Sequence, residues 1–248
     1  MFQFALMIGA VVGGIIANFS FAWVMWLSVI PQVICFLLSL QMIEPRITDK
    51  ASGNIFSHLH LSALRLWKNI NLRLLSLNSV LGFGIGESTF NFRAAFIQTL
   101  WPIWAIGFGQ MFSYLGAAFS FWYSGKILKK INAFTLQLIS NIYNRLINII
   151  ATLFPTVVSP ILMFSTSLNY GVSRVAESTL MQKEYSEEQR ATIDSMNSLL
   201  ESLFYAVFAI FIDFVGDKLG PGKSFLIAQL IYLPTIFISW KLMKMNKT

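Results

Sequence analysis

The chain has 248 residues, 56% hydrophobic and only 12% charged, about half the charged share of a water-soluble domain. A soluble chain of this length can bury one core, but it cannot also hide repeated apolar runs of about twenty residues, the length of a helix that crosses a bilayer. The net charge of +7 is therefore read as loop charge gathered on one side of a membrane rather than as a nucleic-acid footprint, and the lone Cys35 excludes an intramolecular disulfide.

In chain order, apolar runs between polar interruptions predict about eight spans, at 2–19, 22–43, 72–98, 101–122, 133–154, 156–181, 197–215 and 225–242. No basic segment precedes the first run, so it is expected to be retained rather than cleaved as a signal peptide. The third span is interrupted by Glu87, Asn91 and Arg93. Between the second and third lies the longest polar interruption, 44–71. There Ile55, Leu59, Ala63, Leu66, Trp67 and Ile70 recur at helical spacing while Arg65, Lys68 and Asn69 face elsewhere. That pattern predicts an amphipathic helix, lying on anionic headgroups or packed on the ends of the spans.

Alternate connections differ sharply in charge. One set holds Arg46, Lys50, Arg65, Lys68, Arg73, Lys126, Lys129, Lys130, Lys183, Arg190, Lys241, Lys244 and Lys247, whereas the other holds only Lys218 and Lys223. Basic residues mark the cytoplasmic side, so both termini are expected in the cytoplasm and the chain in the plasma (inner) membrane. Trp23, Trp101 and Trp240 stand at span ends, as interfacial anchors do.

Three local patterns share this register. Gly9, Ala10, Val11, Val12, Gly13 and Gly14 are similar to the G-P-x-x-G-G signature of the fifth helix of drug/proton antiporters, with Ala10 in place of the proline. The run from Gly125 through Lys126, Lys129 and Lys130 to Asn132 resembles G-x-x-x-D-R/K-x-G, with Lys129 in place of the acid and Asn132 in place of the second glycine. Gly216, Asp217, Lys218, Leu219 and Gly220 resemble the helix-ending turn often found after an eleventh helix. With two spans, a basic linker and six more spans, the chain resembles helices five to twelve of the major facilitator superfamily. The resemblance implies an all-α polytopic bundle in three parts: 1–43, the last two helices of the first lobe; 44–71, a cytoplasmic linker; and 72–248, a complete six-helix second lobe. It implies either a fragment or truncated form lacking the first four helices of the first lobe, or an eight-span protein completed by a second copy.

Glu87, Arg93, Arg145, Arg174, Glu177, Glu201 and Asp213 fall within predicted spans. Left alone in lipid, such groups together would cost roughly 20 kcal/mol, so they are expected to meet water or one another. Asn141, Asn144, Arg145, Asn148 and Thr152 form a single polar stripe on the fifth span, which turns Arg145 into the bundle, either as an interhelical seam or toward a solute. Thr166, Tyr170, Ser173, Arg174 and Glu177 share a face of the sixth span. Arg174 and Glu177, three apart, can pair there as gating or structural charges.

Glu87 lies beside Gly82, Gly84 and Gly86, glycines that can kink or unwind a helix. It is expected either to carry a proton or to pair with Arg145 or Arg174. With Asn91 and Tyr170 it makes up the candidate substrate or coupling set, in a helix that lines the cavity in the resembled family. His58 and His60 stand alone without further ligands and are not read as a metal site.

No nucleophile, metal set or acid–base pair gathers near one interface, so no enzyme and no cofactor is expected. The function implied is secondary transport of a small molecule, with a proton or ion as coupling partner and the lipid bilayer as environment. A non-transporting membrane interaction protein is the alternative. In a chain with Cys35 replaced by serine, Ser52→Cys and Lys247→Cys should react with impermeant maleimide only when the cytoplasmic face is opened; labelling of intact cells would reverse the topology.

Overall fold

The computed structural model describes residues 2–42, 55–185 and 190–246; the expectations on 43–54 and on Lys247 lie outside them. The described residues form helices and no strand. The helices are α1 (Phe2–Phe19), α2 (Phe21–Ser39), α3 (Ile55–Lys68), α4 (Ile70–Gln98), α5 (Ile103–Leu128) and α6 (Ala133–Leu153). They continue with α7 (Ser159–Ser165), a 3-10 turn (Thr166–Asn169), α8 (Tyr170–Glu184), α9 (Arg190–Leu219), α10 (Pro221–Tyr232) and α11 (Pro234–Met245). Three stretches, Phe21–Ser39, Arg190–Leu219 and Pro221–Met245, are long and apolar enough to cross a membrane, and Gln3–Phe19 is apolar but shorter.

Local chemistry sets the boundaries. Asn69 caps α4, its side-chain oxygen accepting from the N–H groups of Asn71 and Leu72 at 3.0 and 3.2 Å. Gly220 closes α9 at φ 82°, a left-handed conformation natural to glycine, and Pro221 then opens α10.

The expected single span 156–181 is two helices joined by the 3-10 turn. Side chains of other helices bond the backbone around this turn: Arg93 Nη1 donates to the Met163 carbonyl at 2.9 Å, the Tyr123 hydroxyl donates to the Leu168 carbonyl, and Val172 N–H donates to Ser120 Oγ at 3.0 Å. The third span is not unwound at its glycines, since α4 is continuous through Gly82, Gly84 and Gly86. Those glycines serve packing instead. The Tyr232 hydroxyl donates to the Gly82 carbonyl at 2.6 Å, and a Cβ on Gly84 would collide with Phe204.

Three apolar clusters run along the bundle. Leu72, Leu75, Leu180, Tyr185, Ile193 and Leu242 gather one set of helix ends. Phe96, Met163, Phe164 and Phe225, with Trp101 against them, gather the opposite set. Ile85, Phe208, Ile212 and Tyr232 lie between, along α4, α9 and α10. From α4 to α11 successive connections therefore fall at alternate ends. At the first end Asn69 and Asn71 both donate to the Glu184 carboxylate, at 2.8 and 3.3 Å, and Asn71 reaches Asn246 on α11. Helix α3 packs there on α4 and α9; of its expected apolar face, Leu66 meets the bundle and Trp67 is turned out, 68% exposed.

Polarity is inverted relative to a water-soluble domain. Among the described residues as many polar or charged side chains are buried as apolar ones, 23 of each, whereas large apolar side chains such as Phe19, Trp26, Trp122, Val207 and Ile210 are exposed. Helix α2 buries no residue at all. It packs on α1, which in turn lies against α5 at a glycine crossing: a Cβ on Gly107 would come within 2.7 Å of the Ala10 carbonyl oxygen and 3.0 Å of Gly14 Cα. Gly107→Leu should therefore push α1 off the bundle and destabilise it by about 1 to 3 kcal/mol, read as a lower Tm by tryptophan fluorescence. An unchanged Tm would contradict this contact.

Candidate functional site

A cavity of about 520 Å³ opens inside the bundle, walled by α4, α5, α6, the 3-10 turn, α8 and α10, with Gln3 and Leu6 of α1 reaching it. This volume suits a small organic molecule. The polar stripe of α6 forms one wall: Asn141, Asn144, Arg145 and Asn148 line the cavity, and Gln137 extends the stripe by one turn. Helix α8 lines the cavity with Tyr170, Ser173, Arg174 and Glu177, and the 3-10 turn with Thr166. Helix α4 contributes Glu87, Asn91 and Arg93.

The charges differ in how they are held. Arg174 Nη1 pairs with Glu177 Oε2 at 3.1 Å, the intrahelical pair expected from their spacing. Glu87 is half-buried and has no cation within ion-pair distance among the described residues, so neither expected partner, Arg145 or Arg174, holds it. Arg145, 5% exposed, joins α6 to α10: its Nη1 donates to Gln229 Oε1 at 3.2 Å, and its guanidinium lies 3.3 Å from the centre of the Tyr232 ring. It thus occupies an interhelical seam that is at the same time a cavity wall. Arg93 sits over the Phe90 ring at 4.7 Å.

Asn91 is exposed at the rim, its amide donating to the Tyr205 hydroxyl at 3.2 Å. Tyr170 meets Phe121 edge-on at 5.9 Å. Of the remaining charges read from the sequence, Asp213 is exposed and Glu201 enters a buried network. The Ser79 hydroxyl and Asn197 Nδ2 (2.7 Å) both donate to Glu201 Oε1, and Ser76 Oγ donates to Asn197 Oδ1 at 2.5 Å. This network stitches α4 to α9.

Among the described residues nine buried side-chain N or O atoms have no hydrogen-bond partner, and seven of them belong to residues that line the cavity. They include Ser113 Oγ, Gln137 Oε1, Asn144 Oδ1, Arg145 Nε and Asn148 Oδ1. Unpaired buried polar groups are costly, so their concentration here marks the cavity as a place for water or a polar solute. An apolar ligand would leave them unpaired.

Sequence reasoning did not single out Gln229, Tyr232 or Gln137. A lone glutamine within the apolar run Phe225–Tyr232 was the available signal for the first. The spacing of Gln137 four residues before Asn141 was the signal for the last.

Neither a comparison with protein-family models nor one with curated proteins finds a match to this chain.

Asn197→Ala should strip partners from both Ser76 and Glu201 in a low-dielectric seam and cost about 2 to 3 kcal/mol. Thermal melting in detergent checks this; a loss below about 0.5 kcal/mol would show that the seam is wet or loosely held.

Proposed function

We propose that this chain acts as a secondary membrane carrier for a small polar solute, of the major facilitator type, with its helices crossing the bilayer about eight times in the inner or plasma membrane and both termini in the cytoplasm. The observation that carries this reading is the polar cavity itself, a water-compatible chamber in a bundle whose outer surface is apolar. A protein whose only task is to bind partners within the membrane has no need of such a chamber, and each polar group lining it costs stability.

In this reading α7, the 3-10 turn and α8 form one broken crossing, with the break beside the solute. Broken helices bring backbone groups and side chains to a midplane site in carriers. The paired Arg174 and Glu177 are the local charges that can separate and re-form as the cavity opens to one side or the other. Glu87 is the group free to bind a proton, because no cation fixes its charge. Rocking of helices around the cavity would then expose Glu87 and the solute together to alternate faces.

The test is uptake by proteoliposomes carrying the chain, with an imposed pH gradient and a panel of small polar metabolites. Saturable, gradient-driven accumulation of at least one solute is expected. Glu87→Gln should abolish the dependence on the pH gradient and slow gradient-driven uptake roughly 10-fold or more, while solute exchange without a gradient persists. Uptake by Glu87→Gln with unchanged rate and pH dependence would remove Glu87 from the coupling step, and absence of flux for every solute would overturn the carrier reading.

A further inference from the structure

The wall of the cavity holds three guanidinium groups, Arg93, Arg145 and Arg174, against two carboxylates, Glu87 and Glu177. Arg174 is neutralised by Glu177 at 3.1 Å. Arg93 is committed to structure, bound to the Met163 carbonyl at 2.9 Å and flanked by the Phe90 and Phe164 rings at 4.7 and 5.6 Å.

Arg145 is in a different position. It is 95% buried by its 5% exposure, its one side-chain hydrogen bond goes to the neutral Gln229 amide, and its Nε has no partner. Among the described residues no carboxylate lies within ion-pair distance of it. A buried cation served only by neutral groups is expensive unless something supplies the opposite charge. The cavity is where that charge can enter.

Resting on the carrier reading, we propose that the solute is a small organic anion whose single carboxylate docks on Arg145. The guanidinium, 3.3 Å from the centre of the Tyr232 ring, keeps the N–H donors that Gln229 does not take, a planar set that matches a carboxylate. The unpaired amide oxygens of Asn144 and Asn148, with that of Gln137 about two turns before Asn144 on the same helix, accept from hydroxyl or amide groups on the rest of the solute. The charge count excludes the neighbouring classes. A cation would add to an existing excess of one positive charge. With Glu87 ionised, a phosphate dianion would leave a net negative charge in a low-dielectric site.

The assay is thermal melting of the detergent-solubilised chain with matched pairs of probes: lactate and lactamide, benzoate and benzamide, gluconate and glucitol, glucuronate and glucose, with glucosamine and glycerol phosphate added. The carboxylate member of at least one pair should raise Tm saturably, by roughly 3 °C or more, and its neutral partner should not. Arg145→Lys should weaken this response, and Arg145→Gln should remove it.

Because the loss of Arg145 can also impair folding, the decisive variant is Gln229→Glu. It places a carboxylate within the 3.2 Å reach of Arg145 Nη1, so the protein should fold with an unchanged or higher basal Tm and yet lose the response to the carboxylate. Stabilisation by the neutral or cationic members, an undiminished response in Gln229→Glu, or no response to any carboxylate would each overturn the assignment. The flux assay judges the carrier reading separately, since a neutral or cationic solute could still be carried.

Discussion

The structure depends on one constraint: a polar group inside this bundle cannot turn to the surrounding surface for a partner, because that surface is apolar. Each serine, asparagine, arginine or glutamate on an inner face must therefore find its hydrogen bonds across to another helix or in the central cavity. The seams follow from this. Asn141 donates to Ser239 at 2.8 Å and Ser239 to Asn78 at 3.3 Å, tying α6, α11 and α4; Ser76, Asn197, Glu201 and Ser79 tie α4 to α9. Where the partners run out, the unpaired atoms collect around the cavity.

The same constraint explains how a helix can break without destabilising the bundle. Around the 3-10 turn, Arg93, Tyr123 and Ser120 from α4 and α5 bond the backbone of Met163, Leu168 and Val172. The break places Thr166 and Ser167 at the cavity just before Tyr170 and Arg174. Packing and site geometry are thus one arrangement. The side chains that bond this backbone also fix the wall that would face a solute.

Much of this architecture was legible in the sequence because lipid-like patterning is a long-range signal carried by local composition. The apolar runs gave most helix positions, and Leu72, Leu180 and Leu242 cluster at one set of helix ends. The α6 stripe was legible because its polar residues repeat at helical spacing. Other features were not legible. The segment around Thr166–Asn169 reads as a continuous run, since the residues that stabilise its break lie on other helices. Gln229 gains its meaning only from Arg145, 84 residues earlier. The glycines of α4 could signal either a kink or close packing, and only the bulk of Tyr232 and Phe204 beside them decides for packing.

The proposed carrier requires a reversal of solvent, with water in the cavity and lipid around the bundle. Two adjacent residues of α6 carry the contrast directly, because Asn141 lines the cavity while Ile142 is exposed on the outer surface. In membranes holding the chain with Cys35 replaced by serine, Asn141→Cys should react with a water-soluble maleimide and Ile142→Cys should not. Rapid labelling at 142 with protection at 141 would contradict the account, because it would place water outside the bundle and a dry core within.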